Sequence, residues 1–422
     1  MEYISFVYFL FLIILFYLSF LIKGSCAYVF IIAFSWFLIK IPFYFFGDGF
    51  LPDGIDPNIF NLENYAKIIF IKSLFSLFAL FAFLLFARRK KVNLRPPLVS
   101  SRFFVGVLFV YLFLIYFYFY QIGGLLFFLE NMYQRGDIIK GNYIFIILLF
   151  SISIFLIFSS MRYSIIKQLF IVLFLSFSIF ISYGSRSFSV GLMVFWGVCY
   201  TLTFKKPPFG LMSPMALIIY TISILVIILT PALRQGDVGS LIDVVLNNWA
   251  ELFQRISVPQ VEFLVVDHFS TNSYWMGRSW MDLIYAICPS SYCINKPPMD
   301  DGVYLYNIFL HGRIEVGTAV NDLDATSYPF ETWSIAYANF GIFGVIMSGV
   351  IFGAVLALLN NMYRSRSYFF VSIGIVLIGC VAINFLHFSN LYLFICLLPV
   401  FIFGVFLIIA RKFNCLDYSL KR

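Results

Sequence analysis

The chain has 422 residues, 62% of them hydrophobic, 21% aromatic and 11% charged, with a mean hydropathy of +0.96. Soluble domains carry about 25% charge, so these proportions exclude a water-soluble globular protein and point to a chain dissolved in a bilayer. The net charge of +8 sits in short loops between apolar runs, where it reports membrane orientation; no nucleic-acid partner is expected.

Apolar runs of helical-span length recur along the whole chain, which predicts an all-α polytopic membrane protein. Eleven spans are expected, at about 3–22, 26–46, 67–87, 103–120, 143–160, 165–182, 188–204, 211–230, 334–359, 368–386 and 390–410. The first run lacks a basic leader and is long enough to cross, so it reads as a span and not a cleavable signal. Arg88, Arg89, Lys90, Lys91, Arg102, Arg162, Lys205, Lys206, Arg364, Arg366, Arg411 and Lys412 all fall on one face of this layout. Short loops rich in Lys and Arg stay cytoplasmic, which puts the C-terminus inside and the N-terminus outside. Among the acids only Asp417 shares the cytoplasmic face.

Polar chemistry is therefore expected outside. Residues 47–66 carry Asp48, Asp53, Asp56 and Glu63, and residues 121–142 contain "ENMYQRGD" with Arg135. The segment 231–333 is about a hundred residues long and holds His268 and His311, with amphipathic stretches at 241–255 and 259–268. Loops of that length are uncommon without a role. Three parts follow: spans one to eight over 1–230, a large loop domain over 231–333, and the last three spans with a tail over 334–422. Cys288 and Cys293, in "CPSSYC", could close a small disulfide if the loop faces an oxidising compartment.

The stretch "SYGSRSFS" at 182–189 forms the outer hairpin of spans six and seven, with Arg186 at the membrane–water boundary. Arg234 in "TPALRQGD", Arg255 in "ELFQRIS", Arg278 in "MGRSW" and Arg313 in "LHGRIE" follow on the same face. Guanidinium forks bind phosphate bidentately, so Arg186, Arg234, Arg255 and Arg313 are candidate diphosphate ligands, with Arg278 and Arg135 as further substrate contacts. Each could instead pair with a neighbouring acid, as Arg255 with Glu251 or Arg313 with Glu315. His311 and Glu331 are the candidate proton acceptors; Glu331 could alternatively complement a helix dipole. The acids of "MDD" at 299–301 and "DLD" at 322–324 read as solvated loop charge, so neither a metal nor a cofactor is expected. "GVIFG" at 349–353, with Gly341 and Gly344, reads as a small-residue packing face. The span interiors read as nearly uncharged, with Lys72 near an outer end.

"YGSRSFSVGLMVF", "TPALRQGD", "FQRIS" and "ETWSIAYANFGIFGVIMSGVIFG", in that order around one large loop before the last three spans, resemble the O-antigen polymerases (Wzy-type oligosaccharide repeat-unit polymerases) of bacterial envelopes. The resemblance implies a membrane glycosyltransferase of GT-C-like fold in the bacterial inner membrane. It would join undecaprenyl-diphosphate-linked oligosaccharide units at the periplasmic face, inverting the anomeric carbon. It also implies outer-face arginine roles for Arg186, Arg234 and Arg255, membrane lipid as surroundings, and a chain-length regulator protein as a partner. The related O-antigen ligase and a lipid-linked oligosaccharide flippase or transporter are the rival readings.

Overall fold

The computed structural model describes residues 2–21, 57–87, 96–131, 138, 142–183, 186–210, 213–214, 217–219, 221–222, 260–286, 288, 293, 295–312, 315–324, 327–328, 330–384 and 390–417. The described chain is all-α apart from one two-residue strand pair. Five of its helices are long and apolar enough to cross a membrane: Leu62–Phe86, Ser101–Gln121, Ile144–Arg162, Ile165–Tyr183 and Thr332–Tyr363. The expected spans at 26–46 and, for the most part, 211–230 lie outside the described residues. Two compact units interleave along the sequence, one of residues 1–88, 250–358 and 384–394, the other of 89–249, 359–383 and 395–422.

The first unit contains α1 (Glu2–Leu21) and α2 (Leu62–Phe86), the latter capped by Asn61, whose side chain accepts from the Asn64 N–H at 2.8 Å. Against α2 lies α8 (Gln260–Thr271), a helix of the large loop. Asn64 Nδ2 donates to Asp267 Oδ1 at 3.0 Å and Lys72 Nζ to Glu262 Oε1 at 2.8 Å. As one number rises the other falls, so the two helices run antiparallel. The Phe263 ring sits 4.6 Å from Phe60 and 6.4 Å from Tyr65.

Three further loop helices follow: α9 (Arg278–Met281), α10 (Leu283–Ala286) and α11 (Asp301–His311). Then comes α12 (Thr332–Tyr363), which is not the straight span that an unbroken apolar run at 334–359 predicts. Its backbone breaks at Phe340 and Gly341, where Gly341 adopts φ +60°, ψ −146°, a conformation that a Cβ disfavours strongly. Beyond the break the chain folds back: a Cβ on Gly344 would stand 2.2 Å from the Ala336 carbonyl oxygen. Eight residues along a straight helix would separate those positions by about 12 Å. The carbonyls exposed at the apex are satisfied by the loop, as Trp275 N–H donates to Ala338 O at 2.9 Å and Met276 N–H to Asn339 O at 2.8 Å. Gly341 and Gly344 therefore make a reversal, a role that their small size alone does not distinguish from helix packing.

Gly349 and Gly353 do serve packing, as their spacing predicts. A Cβ on Gly349 would meet the Phe75 carbonyl at 2.8 Å, and one on Gly353 the Ala79 carbonyl at 2.1 Å. Both numbers rise together, so the long arm of α12 runs parallel to α2.

The second unit is built on α3 (Ser101–Gln121), α4 (Leu125–Glu130), α5 (Tyr143–Ser159), α6 (Ile165–Tyr183) and α7 (Arg186–Phe204). It is completed by α13 (Tyr368–Asn384) and most of α14 (Asn390–Lys412). Four buried serines, Ser151, Ser153, Ser178 and Ser182, return their hydroxyls to carbonyls one turn back, as Ser153 does to Leu149 at 2.8 Å, so their polarity is satisfied inside the helix. Gly379 lets α13 approach Phe195 and Cys199 of α7. At one end β1 (Leu98–Val99) pairs antiparallel with β2 (Leu416–Asp417), and Arg162 donates to Val99 O at 2.7 Å. The start of α3 and the ends of α5 and α14 thus share one end of this unit, and the ends of α3 and α6 meet at the other, where the Tyr118 hydroxyl donates to Ser182 O at 2.5 Å.

Candidate functional site

The interior of the first unit holds a charged cluster. Lys72, three turns into α2, is fully buried, with Glu262 of α8 at 2.8 Å and Glu331 at 3.6 Å. Trp333 places its ring 5.6 Å below the ammonium and donates its Nε1–H to Glu331 Oε2. Glu331 and Trp333 are nearly inaccessible to solvent, as is Glu262. The Tyr8 hydroxyl of α1 lies within electrostatic range of both glutamates and has no hydrogen-bond partner among the described residues.

The fold-back of α12 creates this cluster. Lys72 precedes Phe75 by one turn, and Phe75 lies against Gly349. A straight α12 would carry Glu331 outward, away from that depth; the reversal at Gly341 turns it towards the lysine. An ionic group is tolerated in such surroundings only when other charges and hydrogen bonds replace water. Lys72 and Glu262 were not expected in the site, since Lys72 reads from sequence as a cation near a span end. The signal for Lys72 was its place inside an apolar run; Glu262 had none beyond its amphipathic helix.

His311 is placed differently. It ends α11, and its Nε2 lies 2.6 Å from Asp324 Oδ2 with both side chains exposed. His311 and Glu331 are thus held in two separate settings, one solvent-facing and one interior. Arg278 is exposed on α9 and makes no ion pair among the described residues. Arg186 opens α7, with its side chain outside the described residues. Arg135, Arg234, Arg255 and Arg313, and the 241–255 stretch, also lie outside them.

A second group of acids corrects the expectation that "MDD" is solvated. Asp301 is fully buried, with Ser279 as a polar neighbour, and Ser279 accepts from Asn339 Nδ2 at 2.8 Å. Asp300 caps α11, accepting from the Gly302 N–H at 3.1 Å and Ser327 Oγ at 2.8 Å. Asp282 accepts from the Tyr304 hydroxyl at 3.0 Å. The turn is drawn inward because Gly302 lies against the Tyr328 backbone, where a Cβ would be 2.2 Å from the carbonyl oxygen. Among the described residues no three His, Cys, Asp or Glu side chains form a metal-binding group. Asp322 and Asp324 are exposed, as expected.

Burial raises Asp282 to about 6, raises Asp300, and raises Asp301 well above the usual carboxylate range, with Asp300 and Asp282 repelling its charge further. A carboxyl raised in the folded state binds a proton that the unfolded chain releases. Its stabilisation is full below the unfolded value and fades as pH climbs through the folded one. Amide exchange in α11, corrected for intrinsic rates, is therefore expected to be slower near pH 5 than near pH 7. Asp282→Asn should flatten that dependence, and faster exchange at the lower pH would contradict the account.

Cys288 and Cys293 form a disulfide, with Lys296 Nζ donating to the Cys288 carbonyl at 3.2 Å. His268 is half-buried on α8, edge-on to Phe269 and Phe309 at 4.9 and 5.7 Å, and burial lowers its affinity for protons. The chain matches no family model, no curated protein and no solved structure.

Proposed function

We propose that the protein polymerises undecaprenyl-diphosphate-linked oligosaccharide units by inverting glycosyl transfer at the periplasmic face of the bacterial inner membrane. The observation that carries this reading is the carboxylate Glu331, turned by a folded-back helix into an ionic cluster with Lys72 and Glu262. Ionisable groups at span depth are costly and mark functional sites by default. A disulfide in the large loop suits an oxidising compartment, as a periplasmic cap requires.

In this reading Glu331 accepts the proton of the acceptor hydroxyl, with Lys72 and Trp333 fixing its position. His311 and Asp324 contact sugar from the exposed side. Arg186, Arg234, Arg255 and Arg313 offset the charge that develops on the departing diphosphate, a role that preorganised donors fill without a metal. The test is synthetic lipid-linked repeat units given to the purified protein, with products resolved by length. Glu331→Gln, which keeps shape and removes the base, should lower chain extension by about 10²-fold or more while the protein stays folded in the membrane. Unchanged ladders would reject the assignment.

A transporter of lipid-linked oligosaccharide is the second reading, and the buried Lys72 cluster favours it as well, because such charges also line transport paths. Flipping of the same substrate in vesicles, with no longer product formed, would select it.

A further inference from the structure

The loop domain carries an apolar surface that its own packing does not explain. Met276 is 71% exposed, Met281 63% and Ile284 74%, yet none belongs to a helix that could span a membrane. Scattered exposed apolar residues are ordinary; contiguous groups of large ones mark an interaction surface. These three fall within nine residues, with Trp280 among them and Tyr285 directly after, both partly exposed.

The other side of the segment locates it. The Trp280 ring lies 5.5 Å from Phe340, and a Cβ on Gly277 would press on that same ring at 2.8 Å. Tyr274 packs against Gly341 itself. The segment is thus seated on the apex of the α12 reversal. From that apex to Tyr363 the long arm measures about 33 Å at 1.5 Å per residue, close to the thickness of a bilayer's hydrocarbon core. Ile342 and Phe343 begin the arm at 47% and 67% exposure, as lipid-facing residues do. The exposed patch thus adjoins the start of this arm at the apex.

We infer that residues 274–286 form a membrane-interface wedge, with Met276, Met281 and Ile284 set among acyl chains beside α12 and Arg278 bound to a phospholipid phosphate. Aromatic rings that are apolar at one end and polar at the other concentrate at this depth, which suits Tyr274, Trp280 and Tyr285. Arg278 is exposed and unpaired among the described residues, and its long stem lets the guanidinium reach headgroups while the chain stays at the boundary. Its neighbour Ser279 faces inward to Asn339, so α9 has a protein side and a lipid side. This assigns Arg278 to the bilayer and not to the substrate, and it stands whether or not the chain extends glycans.

The test places a benzophenone amino acid at Ile284 in the full chain, held in nanodiscs of phosphatidylethanolamine and phosphatidylglycerol. The same group at Asp322, an exposed polar position of the loop domain, is the control. Irradiation should yield a phospholipid adduct at position 284 several-fold above that at 322, and Arg278→Ala should lower it. A yield no greater than the control, or cross-linking to a second copy of the chain, would overturn the inference. Inorganic pyrophosphate separates the phosphate sources: an adduct unchanged by it supports the lipid headgroup, and one reduced to the Arg278→Ala level would return Arg278 to a soluble diphosphate.

Discussion

Lys72→Met is expected to destabilise the first unit by about 3–5 kcal/mol, the range found when one partner of a buried ion pair is removed. It should abolish chain extension as well. The lysine is fully buried and meets glutamates from two other elements, so methionine leaves their negative charges without its compensation. Lys72→Arg keeps the charge but widens the head group in a packed site, and should fall between. The measurement is thermal unfolding in detergent combined with product length. Combining Lys72→Met with Glu262→Gln should recover part of the stability, because a buried cation and an anion are removed together. Full stability of the single variant would show that Lys72 reaches water and that no interior cluster exists.

Gly341→Ala should be as damaging for a different reason. The residue holds φ +60°, ψ −146°, and its new methyl group would stand 2.8 Å from the Tyr274 ring. Backbone strain of this kind costs about 1–3 kcal/mol, and overpacking costs about as much again. The cheapest response is to straighten α12, which withdraws Glu331 and Trp333 from Lys72. Lost activity with faster amide exchange over 332–339 is therefore expected. Gly197→Ala, where a methyl group meets nothing within 4 Å, should leave both unchanged. An active, normally stable Gly341→Ala protein would contradict the reversal.

Helices were the legible part of this chain. The apolar runs at 103–120, 143–160 and 165–182 became α3, α5 and α6 with ends displaced by a residue or two, because length and hydropathy are local properties. The five-residue spacing of Cys288 and Cys293 could be read in the same way. Other features depended on what sequence does not display. The sign of φ at Gly341 is invisible in a run that stays apolar on both sides. Lys72 finds Glu262 190 residues away in the chain, and a distant pairing leaves no local pattern. Asp301 looked solvated within "MDD" because loop acids usually are; the close passage of Gly302 along the Tyr328 backbone turns it inward. Glu331 was chosen for its residue type at a helix start, whereas its environment was set by a fold-back that periodicity did not report.

The clasp between Leu98–Val99 and Leu416–Asp417 has a practical consequence for anyone who tags this protein. Residues beyond the last long helix are sewn into the folded body, with the Cys415 carbonyl accepting from the Ser100 N–H at 2.7 Å. A reporter spliced directly after Lys412 would unpick that seam and free the carbonyl that Arg162 now holds in place. Fusions intended to be silent belong downstream of Asp417.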